Sequence, residues 1–375
     1  MVRAPERERK GRRVHSGGCL AAYTLWKEGQ GSMEEKVKLK DIAERLGVSI
    51  VAVSKALNDK DGISDKLKEK VRQVALEMGY ETAVMRNRLN RSAASILVIV
   101  ARNALSDINM TQSFYLGFFE KLSEEFLTYR YLTQLFVLEK EDEGALKKPD
   151  VLDKCDNVAG AIFLGECAAD YVSAARGWGI PLLLVDFYLK SLPVGAVVTD
   201  NISASYDITK LLLEKGHREI AFVGRVNATT SIRDRYVGYY KAMLEYNCAV
   251  REEWSIVDRT EDGIYISIEL PEKLPTAFVC NSDRAAYETV RKLRERGLRV
   301  PEDVSVVGFD DDVFSKVCNP PLSTVAVNVS EITKTAAGRM VALVRGLTRE
   351  VSCAVVPGTL IFRESVGEAH GGKEG

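Results

Sequence analysis

The sequence predicts a small all-helical N-terminal head followed by a larger α/β body built on parallel sheets. Two short amphipathic helices around a glycine turn lie within residues 38–58. From Ser95 onward short apolar runs alternate with helix-like segments, which is the pattern of parallel strands flanked by helices. Residues 1–32 carry seven basic and three acidic side chains, residues 33–91 carry 13 and 10, and the whole chain has a net charge of −1. A basic end on an acidic body favours contact of that end with a polyanion.

The first helix is predicted from four apolar residues at helical spacing, Leu39, Ile42, Ala43 and Leu46. Gly47 follows, and a residue without a Cβ can adopt the left-handed conformation that ends a helix. The chain therefore turns sharply after residue 46.

The second helix begins after Ser49, whose hydroxyl can accept the free backbone N–H groups of the first turn. Val53, Ala56 and Leu57 point back to the first helix. The outer face then carries Ile50, Val51, Ser54, Lys55 and Asn58. Such a face can enter a major groove. The alternative is a helical hairpin of the kind found in enzymes, which binds no nucleic acid.

A third helix completes the head. Ser64 caps it, Leu67, Val71 and Val74 begin an apolar stripe that Met78 completes, and Gly79 ends it. The next segment, residues 82–92, places Arg86, Arg88 and Arg91 around Leu89. It is either a basic linker that orders on a partner or a plain solvated linker, and composition alone favours the second.

This order of parts resembles the lactose-repressor (LacI/GalR) family of bacterial transcription regulators, from about Val37 to Arg363. The matching blocks are LKDIA at 39–43, GVS at 47–49, VSKALN at 53–58, GHREIAFVG at 216–224, Arg235 followed by Gly238-Tyr239, and VSVVGFDD at 304–311. The resemblance implies a periplasmic-binding-protein-like body of two Rossmann-like lobes. We expect the first lobe near 95–185 plus a returning segment, and the second near 200–280 plus the C-terminal part.

The resemblance also assigns roles in DNA binding. Ile50 and Val51 would discriminate bases through thymine methyl groups, and Lys55 would donate to guanine O6 and N7. Ser49 and Ser54 would contact phosphate, while a hinge leucine would enter the minor groove. The hinge departs from the family pattern at Ala83 and Arg86. The predicted DNA-binding residues are Ser49, Ile50, Val51, Ser54, Lys55, Asn58, Arg88 and Leu89.

A ligand cleft is expected between the lobes, where strand carboxyl ends converge. A sugar needs fixed acceptors, a donor and an aromatic wall, and the predicted effector-binding residues are Asn103, Tyr115, Asp186, Phe187, Arg235, Ser282 and Asp310. Acids after strands can instead cap the next helix, which is the role favoured for Asp283. Arg235 could alternatively form an ion pair between the lobes.

The predicted domains are residues 1–32, disordered or upstream of a true start at Met33; a helix-turn-helix domain, 33–80; a hinge, 81–94; the two-lobed body, 95–365; and a flexible tail, 366–375. No apolar run reaches the roughly 18 residues of a membrane span, and no secretory signal is recognised. Three histidines and seven scattered cysteines give no metal spacing, and no cofactor is expected.

The sequence thus predicts a cytoplasmic, homodimeric repressor that binds a pseudo-palindromic operator and is switched by a carbohydrate effector. Two other classes are weighed against it. A solute-binding protein shares the two-lobed fold but lacks the head and needs export. An enzyme with an active site between the lobes is disfavoured because no nucleophile and base can be paired.

Overall fold

The computed structural model describes residues 37–57, 60–80, 94–105, 114–155, 157–261 and 263–369. Asn58, Arg88 and Leu89 lie outside the described residues, as do the segment 1–32 and the hinge apart from its last residue. Three helices form the head, which confirms the predicted helix-turn-helix and the third helix: α1 (Leu39–Leu46), α2 (Ile50–Leu57) and α3 (Asp65–Glu77).

A small apolar core holds the head together. Ile42 of α1, Val53 and Ala56 of α2, and Val71 of α3 are each fully buried in one cluster. Gly47 ends α1 with a φ of 65°, in the left-handed region predicted for it, and Val48 N–H closes the turn on the Ala43 carbonyl at 3.0 Å. The two helices therefore meet at a fixed angle.

The first lobe of the body contains a parallel sheet of six strands in the order β11-β5-β4-β3-β1-β2. These strands are β1 (Ser95–Ala101), β2 (Leu132–Leu138), β3 (Val158–Leu164), β4 (Leu182–Val185), β5 (Gly195–Thr199) and β11 (Cys353–Val356). The helices around them are α4 (Phe114–Thr128), α5 (Lys140–Gly144), α6 (Val151–Lys154), α7 (Ala169–Ala175) and α12 (Val329–Val344).

The second lobe contains a parallel sheet of four strands in the order β7-β6-β8-β9. They are β6 (Ile220–Val223), β7 (Ser255–Ile256), β8 (Ala277–Cys280) and β9 (Ser305–Val307), with helices α8 (Asn201–Glu214), α9 (Thr230–Glu245), α10 (Asp283–Glu295) and α11 (Val313–Val317). A short antiparallel pair, β10 (Thr324–Ala326) and β12 (Thr359–Ile361), lies beside them. The fold is the predicted head plus two-lobed α/β body.

The chain crosses several times between the lobes, and a C-terminal segment returns to the first lobe, as the sequence predicts. The described chain crosses between them after β5, between β10 and α12, and between β11 and β12. The first lobe therefore extends beyond residue 185 to β5, and it takes back α12 and β11 from the C-terminal part.

Residues 366–369, which the sequence assigned to the tail, are bound to the second lobe. Gly367 N–H donates to Ser305 Oγ at 3.0 Å, and Ala369 N–H donates to the Lys215 carbonyl at 2.9 Å. The body therefore continues to Ala369. Within the described part of the chain, no helix combines the length and apolar character needed to cross a bilayer.

Two glycines in the body should respond oppositely to an added methyl group. A Cβ on Gly338, inside α12, would meet only the Tyr129 hydroxyl at 3.8 Å, so Gly338→Ala should raise the free energy of unfolding by about 0.5–1 kcal/mol. A Cβ on Gly308 would lie 2.0 Å from Asp283 Oδ1 and 3.2 Å from its Cα, so Gly308→Ala should lower it by about 1–3 kcal/mol. Urea unfolding followed by tryptophan fluorescence tests both. A Gly308→Ala protein as stable as wild type would contradict the packing.

Candidate functional site

Helix α2 presents two large apolar side chains to water. Ile50 is 47% exposed and Val51 is 64% exposed, whereas Val53 and Ala56 on the opposite face are fully buried. Ser49 Oγ accepts the Ala52 N–H at 3.1 Å and so caps this helix, as predicted. An apolar pair on a short, capped helix is available to an apolar partner group.

Ser54 and Lys55 flank that pair. Both are half-buried, and Lys55 Nζ lies near the loop after α2, since a Cβ on Gly62 would be 3.6 Å from it. The head therefore groups Ser49, Ile50, Val51, Ser54 and Lys55 on one helix.

In the body, Asp186 directly follows β4 and is 5% exposed. Its backbone is in the left-handed region, with a φ of 71°. The Tyr115 hydroxyl donates to Asp186 Oδ2 at 2.8 Å. Burial raises the pKa of Asp186, because attraction by Arg235 and the Tyr115 hydrogen bond only partly offset the loss of solvent. Burial and this neighbouring carboxylate raise the pKa of Tyr115 well above its usual value.

Arg235 on α9 is a buried cation with partners on three sides. Its Nε donates to Asn201 Oδ1 at 2.8 Å, Nη1 donates to the Asn281 carbonyl, and Nη2 lies 3.1 Å from Asp310 Oδ1. The guanidinium also lies 3.7 Å from the centre of the Phe309 ring. Asp310 belongs to the second lobe, as Arg235 does, so the alternative of an ion pair between the lobes does not describe this contact.

Asp310 follows β9 with a φ of 109°. Its side chain is 14% exposed. Burial raises its pKa to about 7 although Arg235 pulls the pKa down, and repulsion from Asp312 and Asp186 adds to the rise. Tyr115, Asp186, Arg235 and Asp310 thus form one electrostatically coupled group at the strand ends of both lobes.

The capping role suggested for Asp283 needs correction. Ser282, not Asp283, is the N-cap of α10, and its Oγ accepts the Ala285 N–H at 3.3 Å. The Asp283 carboxylate instead accepts from Thr324 Oγ1 at 2.6 Å and from Asp312 N–H at 3.0 Å. These bonds tie α10 to β10 and to the segment after β9, and the Asp283 side chain that forms them is fully buried.

Phe187 lies apart from the coupled group. Phe187 is 1% exposed and packs within the apolar core of the first lobe, so it does not stand beside Tyr115 as a second aromatic wall. Asn103 is exposed in a turn after β1. A Cβ on Gly263, from the second lobe, would be 3.1 Å from Asn103 Nδ2, so the two lobes approach each other there.

Two side chains that join the lobes were not predicted from the sequence. Glu166 Oε2 accepts from both the backbone N–H and the hydroxyl of Thr230, each at 2.9 Å. The Tyr188 hydroxyl donates to Asp234 Oδ1 at 3.0 Å. Both contacts reach the first turns of α9, upstream of Arg235. Glu166 lies just after β3, so it carries the same sequence signal as Asp186, an acidic residue that follows a buried strand.

A second missed group lies on the loop after β7. Arg259 pairs with Asp258, with Nη2 to Oδ2 at 2.6 Å, and it donates to Asn281 Oδ1 at 3.0 Å. Burial raises the pKa of Asp258, but the Arg259 ion pair and the hydrogen bonds from Asn281 Nδ2 and the Arg225 N–H outweigh burial, so the pKa is lowered. The Tyr265 ring lies under both Arg259 and Arg284, at 4.5 and 3.8 Å. No sequence pattern indicated these contacts, which depend on tertiary folding.

Across the described residues, no group of three His, Cys, Asp or Glu side chains is arranged to hold a metal ion. The matches to protein families fall on both parts of the chain. The model of bacterial regulatory proteins of the lacI family matches residues 38–83, and that of the periplasmic binding protein-like domain matches residues 209–366.

Curated relatives extend the match over most of the chain. The HTH-type transcriptional regulator RegA of Clostridium saccharobutylicum is 30% identical over 334 residues, which cover 87% of this chain and 98% of RegA. The chain belongs to the LacI family. The regulator DegA of Bacillus subtilis (strain 168) is 29% identical, with 88% and 98% of the two chains covered. This LacI-family protein is therefore a DNA-binding transcriptional regulator.

Solved structures share its fold. The transcriptional regulator CelR in complex with cellobiose superposes with a TM-score of 0.61 at 22% identity, covering 88% of this chain and 100% of CelR. The Lac repressor dimer bound to operator and the anti-inducer ONPF gives a TM-score of 0.60 at 21% identity, covering 89% and 100%.

The raised pKa of Asp310 makes stability depend on pH. Between about pH 4 and 7 the unfolded chain has lost the Asp310 proton, with its usual pKa of 3.8, whereas the folded chain keeps it up to about 7. The folded state then binds more protons, so stability falls as pH rises through this window. Across this pH window the free energy of unfolding of wild type should fall, relative to that of Asp310→Asn, by at most about 4 kcal/mol. Urea unfolding at several pH values measures the difference, with exposed Asp170→Asn as the control. A pH-independent difference would contradict the assignment.

Proposed function

We propose that this regulator represses transcription by binding a pseudo-palindromic operator, and that a sugar or sugar derivative bound between its lobes changes that affinity. The observation that carries the DNA half is the exposed pair Ile50 and Val51 on α2. Apolar side chains on a recognition helix can contact thymine methyl groups in the major groove. Lys55 would read a guanine, while Ser49 and Ser54 would contact phosphate and fix the register. By family position, Asn58, Arg88 and Leu89 complete the DNA-binding set.

The effector would bind at the coupled group. Asp186 and Asp310 supply acceptors, Tyr115 supplies an aromatic face, and Ser282 supplies a hydroxyl. Arg235 would hold the acceptors in place as well as offer its remaining N–H groups. Asn103 would contact the ligand from the first lobe. The structures of CelR with cellobiose and of a LacI-family regulator of Enterococcus faecium with bound ribose support a carbohydrate.

We further propose a homodimer that works in the cytoplasm. Leu116 and Leu127 lie three turns apart on one side of α4 and are 37% and 58% exposed, and Leu132 at the sheet edge is 49% exposed. A second copy would bury such a surface. Two heads would then reach successive major grooves of one operator. The Lac repressor structure with operator, which is a dimer, supports this arrangement.

The proposed effector action rests on lobe closure. Glu166 and Tyr188 of the first lobe bind the first turns of α9, and Arg235 follows on the same helix. A ligand that contacts Asp186 and Arg235 together would favour one relative position of the lobes. Coupling of this kind between two sites is worth about 1–3 kcal/mol.

The test of operator recognition is a selection of genome fragments by the purified full chain, followed by fluorescence anisotropy at one salt concentration. Wild type should enrich a palindrome. Val51→Ala should lose about 1 kcal/mol of discrimination at one base of each half-site, because a methyl contact is removed. The control is Val355→Ala, a 55% exposed valine on β11, which should leave the preference unchanged.

Equal losses by Val51→Ala on every sequence would contradict base reading by α2. Enrichment of no sequence by wild type would overturn operator recognition itself. In that case the cleft would be screened as the site of a binding protein or an enzyme.

A further inference from the structure

Three carboxylates from both lobes follow strands at the proposed effector site. Glu166, Asp186 and Asp310 follow the ends of β3, β4 and β9. Besides burial, repulsion from Asp186 contributes to the raised pKa of both Glu166 and Asp310. The three groups are therefore close enough to repel one another when they are ionised.

Asp310 is paired with Arg235, and the hydrogen bonds that the two nearby guanidinium groups donate within the described part of the chain go to residues other than Asp186 and Glu166. Arg235 is bound by Asn201, Asn281 and Asp310, and Arg259 is bound by Asp258 and Asn281. Burial raises the pKa of Asp186, and the attraction of Arg235 opposes this rise without cancelling it. Attraction from Arg233 at the protein surface similarly fails to offset the burial of Glu166.

Asp186 itself has an unused buried oxygen. Its side chain is 5% exposed, and its Oδ2 accepts from Tyr115, but its Oδ1 has no hydrogen-bond partner. A buried acceptor left without a donor costs free energy, and a charged one costs more. The backbone holds this carboxylate in the left-handed region, at a φ of 71°, so the position is maintained against local strain.

A neutral sugar hydroxyl could donate to Asp186 Oδ1 but would bring no charge. An anionic sugar would add to the repulsion among Glu166, Asp186 and Asp310. A protonated amine supplies the donor that Asp186 Oδ1 lacks and adds a positive charge beside Asp186. The charge-assisted hydrogen bond satisfies the acceptor, and the cation reduces the repulsion of Asp186 with Glu166 and Asp310.

Resting on the proposed function, which places a sugar derivative in this cleft, we propose that the effector is an amino sugar whose ammonium group donates to the Asp186 carboxylate. The sugar hydroxyls are then left for Asp310, Ser282 and the remaining N–H groups of Arg235. The amine is the group that distinguishes this effector from the neutral parent sugar.

The test is isothermal titration of the full-length protein at pH 7 with two matched sets of probes. One set is glucosamine, glucose and N-acetylglucosamine, and the other is galactosamine, galactose and N-acetylgalactosamine. In at least one set the amino sugar should bind about tenfold or more tightly than both neutral members. Asp186→Asn should bring its affinity down to that of the parent sugar. The control Asp170→Asn, which removes an exposed carboxylate on α7, should change neither.

Equal or tighter binding of the neutral sugars would overturn the amine assignment and leave a carbohydrate effector in place. A preference for the amino sugar that persists in Asp186→Asn would also overturn it. So would the absence of binding by all six probes at about 10 mM. If Asp186→Asn still binds operator DNA, the variant is folded. If the variant is not folded, the comparison of amino and neutral sugars with wild type decides the assignment. The genome-fragment selection uses no ligand, so failure of the proposed function is detected separately.

Discussion

The buried guanidinium of Arg235 is the interaction on which the cleft depends. It joins the start of α8 through Asn201, the end of β8 through Asn281 and the end of β9 through Asp310, and it covers the Phe309 ring. Three elements distant in sequence are thereby fixed around one cation. Removing that cation would leave Asp310 buried without its partner, which typically costs about 3–5 kcal/mol. The second lobe's side of the cleft therefore has one preferred shape.

The helix that carries Arg235 also carries the contacts between the lobes. Thr230, the first residue of α9, donates to Glu166 of the first lobe, and Asp234, about one turn further along, accepts from Tyr188 of the first lobe. A movement of the first lobe would therefore displace α9, the helix that carries Arg235. This supplies a direct mechanical link from ligand to lobe closure, and the chain's first lobe leads back to the head through β1.

Much of the fold followed from sequence because the head and the central strands are locally determined. The spacing of Ile42, Val53 and Val71 and the turn at Gly47 fix the head, and long buried runs such as β1 and β3 mark the body. Strands β7, β10, β11 and β12 were not predicted, because none of them is buried along its whole length and each is defined by pairing with distant segments. β5 was also missed, although its five residues are all buried.

The candidate site was only partly predictable for the same reason. The strand ends indicated Asp186 and Asp310, and the family resemblance indicated Arg235. The sequence could not show that Ser282 caps α10 while the Asp283 carboxylate bonds with Thr324. Nor could it show that Phe187 is taken into the core. Tertiary packing decides which residues these side chains contact. The pairing of Arg259 with Asp258 and Asn281 likewise depends on tertiary packing.

The central claim is that the cleft and the operator site are coupled, and one measurement tests it most directly. Operator affinity is measured by anisotropy with and without a compound that binds wild type more tightly than Asp186→Asn. The affinity for that compound is then measured with and without operator. Both affinities should change by one common factor, between about 5-fold and 150-fold. A compound that occupies the cleft yet leaves operator affinity unchanged would contradict the account.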